Sequence, residues 1–229
     1  MHPIDMDRNS SDEEGQDEDD IVLPEQPQQD HWLVNTLLQS SDEATIYDPP
    51  RKYIPLDSLE RYITETNIDA ELRKIENENP QEASKFDQAE RLRLASWIFR
   101  NARQVFATAL QCDLNAVGLL YSMRLARKHK FVDKCLPAPE RPNEATLPWP
   151  DRFPNLFWDQ LKLETFHERQ WILNAATFDE DRLHYDLPAR TIFPFKSIGV
   201  PSEDGTFSRV YRVTIHDAHK KLPSFGDVS

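Results

Sequence analysis

The residues whose types and spacing could do chemistry lie near the end of the chain, in Glu203-Asp204-Gly205-Thr206-Phe207-Ser208-Arg209-Val210-Tyr211-Arg212-Val213-Thr214-Ile215-His216. A glycine lacks a Cβ, so its backbone N–H can approach a phosphate closely. The run after Gly205, rich in Val, Tyr and Ile, reads as a β-strand opened by a tight turn, with Phe207 at the turn tip. On that strand Phe207, Arg209, Tyr211, Val213 and Ile215 share one face, and Ser208, Val210, Arg212 and Thr214 the other. Val210 is then the only apolar residue on its face, a surface against which a base could lie. The same residues also read as an ordinary hairpin with glycine in its turn. No G-x-S-x-G, H-E-x-x-H, Walker loop or paired acidic motif occurs in the sequence. His167 and Glu168 are adjacent on one helix and cannot face one another as a catalytic pair.

The loop resembles the glycine-rich loop of protein kinases, G-x-G-x-x-G-x-V. Aligned on Gly205, Val210 falls on the valine that roofs the adenine and Phe207 on the aromatic at the loop tip, while Glu203 and Ser208 replace the first and third glycines. The flanks extend the likeness. Phe166-His167-Glu168-Arg169-Gln170-Trp171, Ile192-Phe193-Pro194-Phe195 and Ile215-His216-Asp217-Ala218-His219 are similar to a group of fungal protein-kinase-like proteins with a helical N-terminal region, as are Ala107–Asp113 and Phe131–Pro137. The resemblance covers roughly residues 50–229. It implies that Gly205, Thr206, Phe207, Ser208 and Val210 would contact ATP, with Mg, in a complete protein of serine/threonine kinase type. The strand lysine, the H-R-D loop and the D-F-G aspartate of that family are absent from the sequence. The expectation is therefore the N-terminal portion of a kinase-like protein, truncated or encoded by a shortened gene, inactive alone and not binding nucleotide tightly. A non-enzymatic helical interaction module, with Gly205 merely turning a hairpin, is the alternative.

The rest of the chain must position that loop. Of its formal charge of −13, residues 1–30 carry −10, eleven acids against Arg8. Such a segment cannot bury enough apolar surface to offset the entropy of ordering, so residues 1–46 are expected to be a disordered acidic tail. A protein partner could read that tail or the helical region. Ser10, Ser11 and Ser40, each with an acid three positions on, suit kinases that prefer acid-flanked serines. No basic stripe suggests nucleic acid, and no apolar run reaches membrane-span length or marks a signal peptide, which predicts an intracellular protein, cytoplasmic or nuclear. Cys112 and Cys135 read as free thiols, and no Cys/His spacing makes a metal site.

The predicted fold is mainly α, a small helical bundle over 47–178 followed by a linker and partial kinase-like N-lobe over 179–229. Short helices start at Asp57 or Ser58 and at Asn67, with Leu59, Tyr62 and Ile63, then Ile68, Leu72 and Ile75, turned inward. One long helix is expected between Ser84 and Gln111, burying Leu94, Ile98, Ala102, Val105, Phe106 and Ala109, with Arg91, Arg93, Arg100 and Arg103 on its surface. Asp113 is read as the cap of the next helix, with Leu114, Val117, Tyr121 and Leu125 inward and Arg124, Arg127, Lys128 and Lys130 complementing its C-terminal dipole or holding a phosphate. Six prolines between Leu136 and Pro154 rule out regular helix, and Trp149, Phe153, Phe157 and Trp158 anchor that connector. A final helix over about 155–176 buries Leu161, Phe166, Ile172 and Leu173, and Thr191–Phe193 reads as a strand.

Overall fold

Every helix leaves its first N–H groups and last carbonyls without intrahelical partners, and in this protein several are met by side chains far away in sequence. The structure, a computed structural model, describes residues 31–138, 157–182, 184–200, 203–204 and 209–221. The acidic segment 1–30 and the proline-rich segment 139–156, with Trp149 and Phe153, lie outside the described residues. From His31 onward the elements are α1 (Trp32–Gln39), β1 (Asp42–Ala44), β2 (Arg51–Tyr53), α2 (Leu56–Tyr62), α3 (Glu65–Arg73), α4 (Ile75–Glu78), α5 (Pro80–Ala83), α6 (Gln88–Asn101), α7 (Arg103–Leu110), α8 (Ala116–His129) and α9 (Gln160–Leu173). Short strands follow: β3 (Phe178–Asp179), β4 (Phe195–Ile198), β5 (Glu203–Asp204), β6 (Arg209–Val210), β7 (Val213–Ile215) and β8 (Lys220–Lys221). The fold is mainly α.

The tail expected over 1–46 does not reach that far. Residues from His31 on belong to one unit, and α1 buries Leu33 and Leu37 completely against the helices. Two apolar residues one helical turn apart supply what the acidic segment before them lacks.

The long helix expected between Ser84 and Gln111 is divided. Asp87 caps α6 through the amides of Ala89 and Glu90, and the chain leaves helical geometry at Ala102, with φ −145° and ψ 37°. No proline or glycine causes this. The ends made by the break are satisfied instead: Arg103 Nε donates to the Phe99 carbonyl at 2.6 Å, and Asp133 Oδ1 accepts the Val105 N–H at 3.0 Å. Ala102 offers no cap of its own, so Asp133 caps α7 from a 3₁₀ turn, Asp133–Cys135, about thirty residues on. Both halves keep the expected inner face, since Leu94, Ile98, Ala102, Val105, Phe106 and Ala109 are all buried.

Other cap expectations are corrected in the same way. Thr64, not Asn67, caps α3, and α2 starts behind Pro55 with no side-chain cap. Asp113 adopts left-handed geometry at φ 52°, which Asp tolerates, and Asn115 caps α8 through the Gly118 N–H. Glu78 of α4 accepts the Ala116 N–H at 2.8 Å, a second cap on the same end. The buried stripe of α8 is Ala116, Leu120, Met123 and Ala126 with Val117 and Leu119, while Tyr121 and Leu125 are only half-buried. Arg91 is not on the surface either. It is buried in α6, bonded to Asp69 of α3 at 2.8 Å and to Glu76 of α4 at 2.6 Å, so its charge is compensated within the core.

Helix α9, capped by Asp159 and shorter than expected, joins two cores. Phe166 and Trp158 pack edge to face in the main one at 5.8 Å, and Trp158 Nε1 donates to Ser122 Oγ at 2.9 Å. Phe157 stacks on Tyr121, close enough that a Cβ at Gly118 would meet its ring at 3.2 Å. Trp171 belongs to the second core, with Ala44, Tyr53, Ala175 and Ile192. Between the two, fully buried Gln170 clamps Ala138: its Oε1 accepts the Ala138 N–H at 2.7 Å, and its Nε2 donates to the carbonyls of Ala138 at 3.0 Å and His167 at 3.2 Å. The C-terminal carbonyls of α9 are taken by the Ile54 N–H at 2.8 Å and by Gln104 Nε2 at 2.9 Å. Ile192 therefore shares a core with Trp171 and Ala175 of the helical region. Leu161, expected inside, is 72% exposed.

Replacing Gln170 by Leu leaves two buried backbone groups of Ala138 without partners. At roughly 1–3 kcal/mol for each stranded group, the loss is expected at about 3 kcal/mol in urea unfolding, and a loss below 1 kcal/mol would show that the clamp is dispensable.

Candidate functional site: the hairpin and its histidine base

The residues expected to cover a phosphate are flanked in sequence by an antiparallel ribbon, β4 with β7 and β5 with β6. At its base Phe195 is opposite Ile215, Ser197 opposite Thr214 and Ile198 opposite Val213, with a register slip between Phe195 and Ser197. The Gly199 N–H continues the pairing to the Arg212 carbonyl at 2.7 Å. Farther out, Glu203 is opposite Val210 and Asp204 opposite Arg209. Gly205, Thr206, Phe207 and Ser208, the connection between β5 and β6, lie outside the described residues.

The unbroken strand expected from Phe207 to Ile215 is interrupted at Tyr211 and Arg212, where neither residue is in the ladder. The simple alternation of faces is lost with it. Val210 is 58% exposed, and Ile198, Val200 and Tyr211 are exposed as well.

The strand expected at Thr191–Phe193 is displaced to Phe195–Ile198, beyond Pro194. A tyrosine hydroxyl does the work of a neighbouring strand at the earlier position. Tyr47 Oη donates to the Thr191 carbonyl and accepts the Phe193 N–H, both at 3.1 Å. Tyr185 repeats the device on Asp179, whose N–H it accepts and whose carbonyl it donates to. Phe178, Phe193 and Phe195 form a ring cluster with it, centroids 5.2–6.4 Å apart.

Below the ribbon, His216 and His219 turn its return strand onto the second core. The His216 N–H bonds the Pro194 carbonyl at 2.9 Å, and its ring Nδ1 accepts the Ala218 N–H at 3.2 Å. Its Nε2 lies 3.7 Å from Asp42 Oδ2, which also accepts from Tyr53 Oη at 3.4 Å. Lys196 Nζ is 3.6 Å from the same oxygen. His219 is fully buried, edge-on to Tyr53 at 5.4 Å, with Nδ1 3.0 Å from the Ala176 carbonyl. A carbonyl only accepts, so Nδ1 is assigned the proton. Burial, chiefly, holds His219 down at about 4, and burial, chiefly, pushes the Tyr53 hydroxyl well above its ordinary value. Both stay neutral near pH 7 and neither is open to solvent. The arrangement anchors the ribbon rather than moving protons.

The remaining reactive groups are accounted for similarly. Cys112 and Cys135 are free thiols, and burial raises the Cys112 thiol far from a nucleophile's range. Arg124 and Arg127, expected at a solvated helix end or on a phosphate, face Glu90 at 3.1 and 3.8 Å, with Arg124 over the Phe86 ring at 4.5 Å. Among the described residues no group of three or more His, Cys, Asp or Glu is placed to hold a metal ion, and no helix is long and apolar enough to cross a membrane. Sequence reasoning missed Tyr47, Tyr53 and Asp42 as supports of the ribbon. Their only sequence signal is a run of prolines holding that segment extended.

Asp133 and His219 give opposed pH dependences. Burial, outweighing the backbone N–H donors at α7, pushes the Asp133 carboxyl up to about 6 from 3.8, so its stabilising contribution is present below the ordinary value and lost as pH rises towards 6. His219, lowered from 6.5 to about 4, contributes stability present above 6.5 and lost as pH falls towards 4. Together they should leave unfolding free energy nearly flat between about pH 4.5 and 6. Asp133→Asn should then make stability rise with pH in this window, and His219→Gln should make it fall, each by at most about 1.4 kcal/mol per pH unit. Parallel slopes in the two variants would refute the assignment. No protein-family model, curated protein or solved structure matches this chain.

Proposed function

We propose that this chain is the N-terminal portion of a protein-kinase-like protein, in which a helical regulatory or interaction region carries a degenerate nucleotide-covering hairpin. The observation that supports it is the ribbon itself: β4 and β5 run outward, β6 and β7 return, and the connection between them falls on Gly205–Ser208. A glycine-rich loop works as such a tip, because backbone amides can reach phosphates only where no side chain stands between. Val210, on the return strand and open to solvent, offers the apolar surface an adenine needs. The motifs that carry the kinase resemblance also hold the ribbon to the helices. Phe166, Gln170 and Trp171 are distributed over the two cores and the clamp between them, and His216 and His219 close the base.

In a complete protein ATP with magnesium would supply the phosphoryl group to be transferred. The residues of this chain would cover and orient the nucleotide, with Gly205, Thr206, Phe207 and Ser208 at the phosphates and Val210 at the base. None of its 229 residues forms an H-R-D or D-F-G motif, so no transfer step is assigned to it. A second reading is favoured by the exposed apolar residues along the ribbon. Ile198, Val200, Val210 and Tyr211 expose apolar surface there, which suits a protein contact with no nucleotide.

The two readings part on one titration. With millimolar ATP and magnesium, the backbone amide resonances of residues 203–210 are expected to move, and Val210→Asp, an exposed substitution that should leave the melting temperature unchanged, is expected to suppress the movement. Unmoved resonances in the unaltered chain would remove the nucleotide role and leave the ribbon as a protein-binding surface.

A further inference from the structure

A cleft of about 580 Å³ lies between β2, α9 and the Arg190–Ile192 segment. Its volume is in the range of small-molecule sites. Four cations line it, Arg51, Lys52, Arg169 and Arg190, against two carboxylates, Glu164 and Glu168. Part of that charge is already used. Arg190 pairs with Glu168 at 2.6 Å and lies over the Trp171 ring at 5.7 Å. Arg51 donates to the Arg190 carbonyl at 3.1 Å, and Glu164 accepts from Gln160 at 2.8 Å. Lys52 and Arg169 make no ion pair among the described residues, and they leave the cleft with a formal excess of two positive charges.

The walls are not polar throughout. Trp171, Ile172 and Ile192 line the cleft, and Leu161 stands at its edge, mostly exposed. The side chain of Trp171 is more than nine-tenths buried, and its indole Nε1 has no hydrogen-bond partner. A basic cleft with apolar walls selects an anion attached to an apolar body, and two uncompensated cations beside forked guanidinium groups match a dianionic phosphate better than a single carboxylate.

We infer that the Arg51/Lys52/Arg169/Arg190 cleft binds a phosphate monoester carried on an aromatic or aliphatic body. The phosphate meets Arg169 and Lys52, and the body lies along Trp171, Ile192 and Leu161. A free small phosphate ester and a phosphorylated side chain share this chemistry. The inference goes beyond the kinase-like reading and shares no residue with the hairpin.

The test titrates phenyl phosphate, inorganic phosphate, benzoate and a short phosphotyrosyl peptide into the full chain, following the Trp171 indole resonance, which Trp171→Phe identifies. Phenyl phosphate is expected to bind at least about ten-fold tighter than inorganic phosphate or benzoate, since each comparison removes either the apolar contact or a charge-assisted bond. Its affinity should fall about ten-fold or more in Arg169→Glu and weaken with added salt. Lys52→Glu, at an exposed position opposite Glu43, repeats the test, with the melting temperature as the check on folding. A peptide that binds tighter than phenyl phosphate assigns the site to a phosphorylated protein, and equal or weaker binding assigns it to a small ester. Absence of binding, equal binding of inorganic and phenyl phosphate, or affinity unchanged in both charge-reversal variants overturns the inference.

Discussion

The structure turns on a single buried amide. Beyond the 3₁₀ turn Asp133–Cys135, the N–H and carbonyl of Ala138 are turned away from water and belong to no helix or sheet. Gln170 meets both, and its second amide hydrogen goes to the His167 carbonyl one turn back. A buried side-chain amide is tolerable only when its donors and acceptor are matched, so this clamp fixes the rotation of α9 about its own axis. With that rotation set, Phe166 enters the main core and Trp171 the second one. A helix whose apolar residues are scattered around its circumference, with almost no amphipathic bias, is what such a two-sided position requires.

The same economy appears at the helix ends. Asp133 supplies the N-terminus of α7, Glu78 that of α8, and Gln104 the C-terminus of α9, each from a different helix or turn. These bonds join elements that apolar contact alone would let slide, because apolar packing is non-directional and hydrogen bonds are not. Tyr47 and Tyr185 extend the practice to irregular backbone, where one hydroxyl both gives and accepts a bond. The ribbon gains from this. Two strands alone are marginal in water, and here they stand on the second core through His216, His219, Tyr53 and the Phe178 ring cluster.

Function follows from that mounting. Under the proposed kinase-like reading, a ribbon anchored at its base and exposing apolar residues would meet a nucleotide. The basic cleft is built by β2, α9 and the segment that Tyr47 holds. Both surfaces therefore depend on the two-sided placement of α9.

Local pattern alone determined a good deal of this protein. The inner face of α6 and α7 from Leu94 to Ala109, the inward residues of α2 and α3 and the mainly helical fold all follow from apolar spacing, which acts over a few residues. The F-x-x-x-Q-W and I-H-x-x-H segments were recognisable as motifs, yet their roles were not, because a Gln that clamps Ala138 and a His that bonds Ala176 take their meaning from partners some thirty to forty residues away. Tertiary structure decided the break at Ala102, which Asp133 makes tolerable, the burial of Arg91 between Asp69 and Glu76, and the ordering of Leu33 and Leu37. It also moved the strand from Thr191–Phe193 to Phe195–Ile198 and brought Arg51, Arg169 and Arg190 to one cleft. In each case the deciding group belongs to another element, and periodicity within an element carries no record of which distant backbone or charge its polar residues will meet.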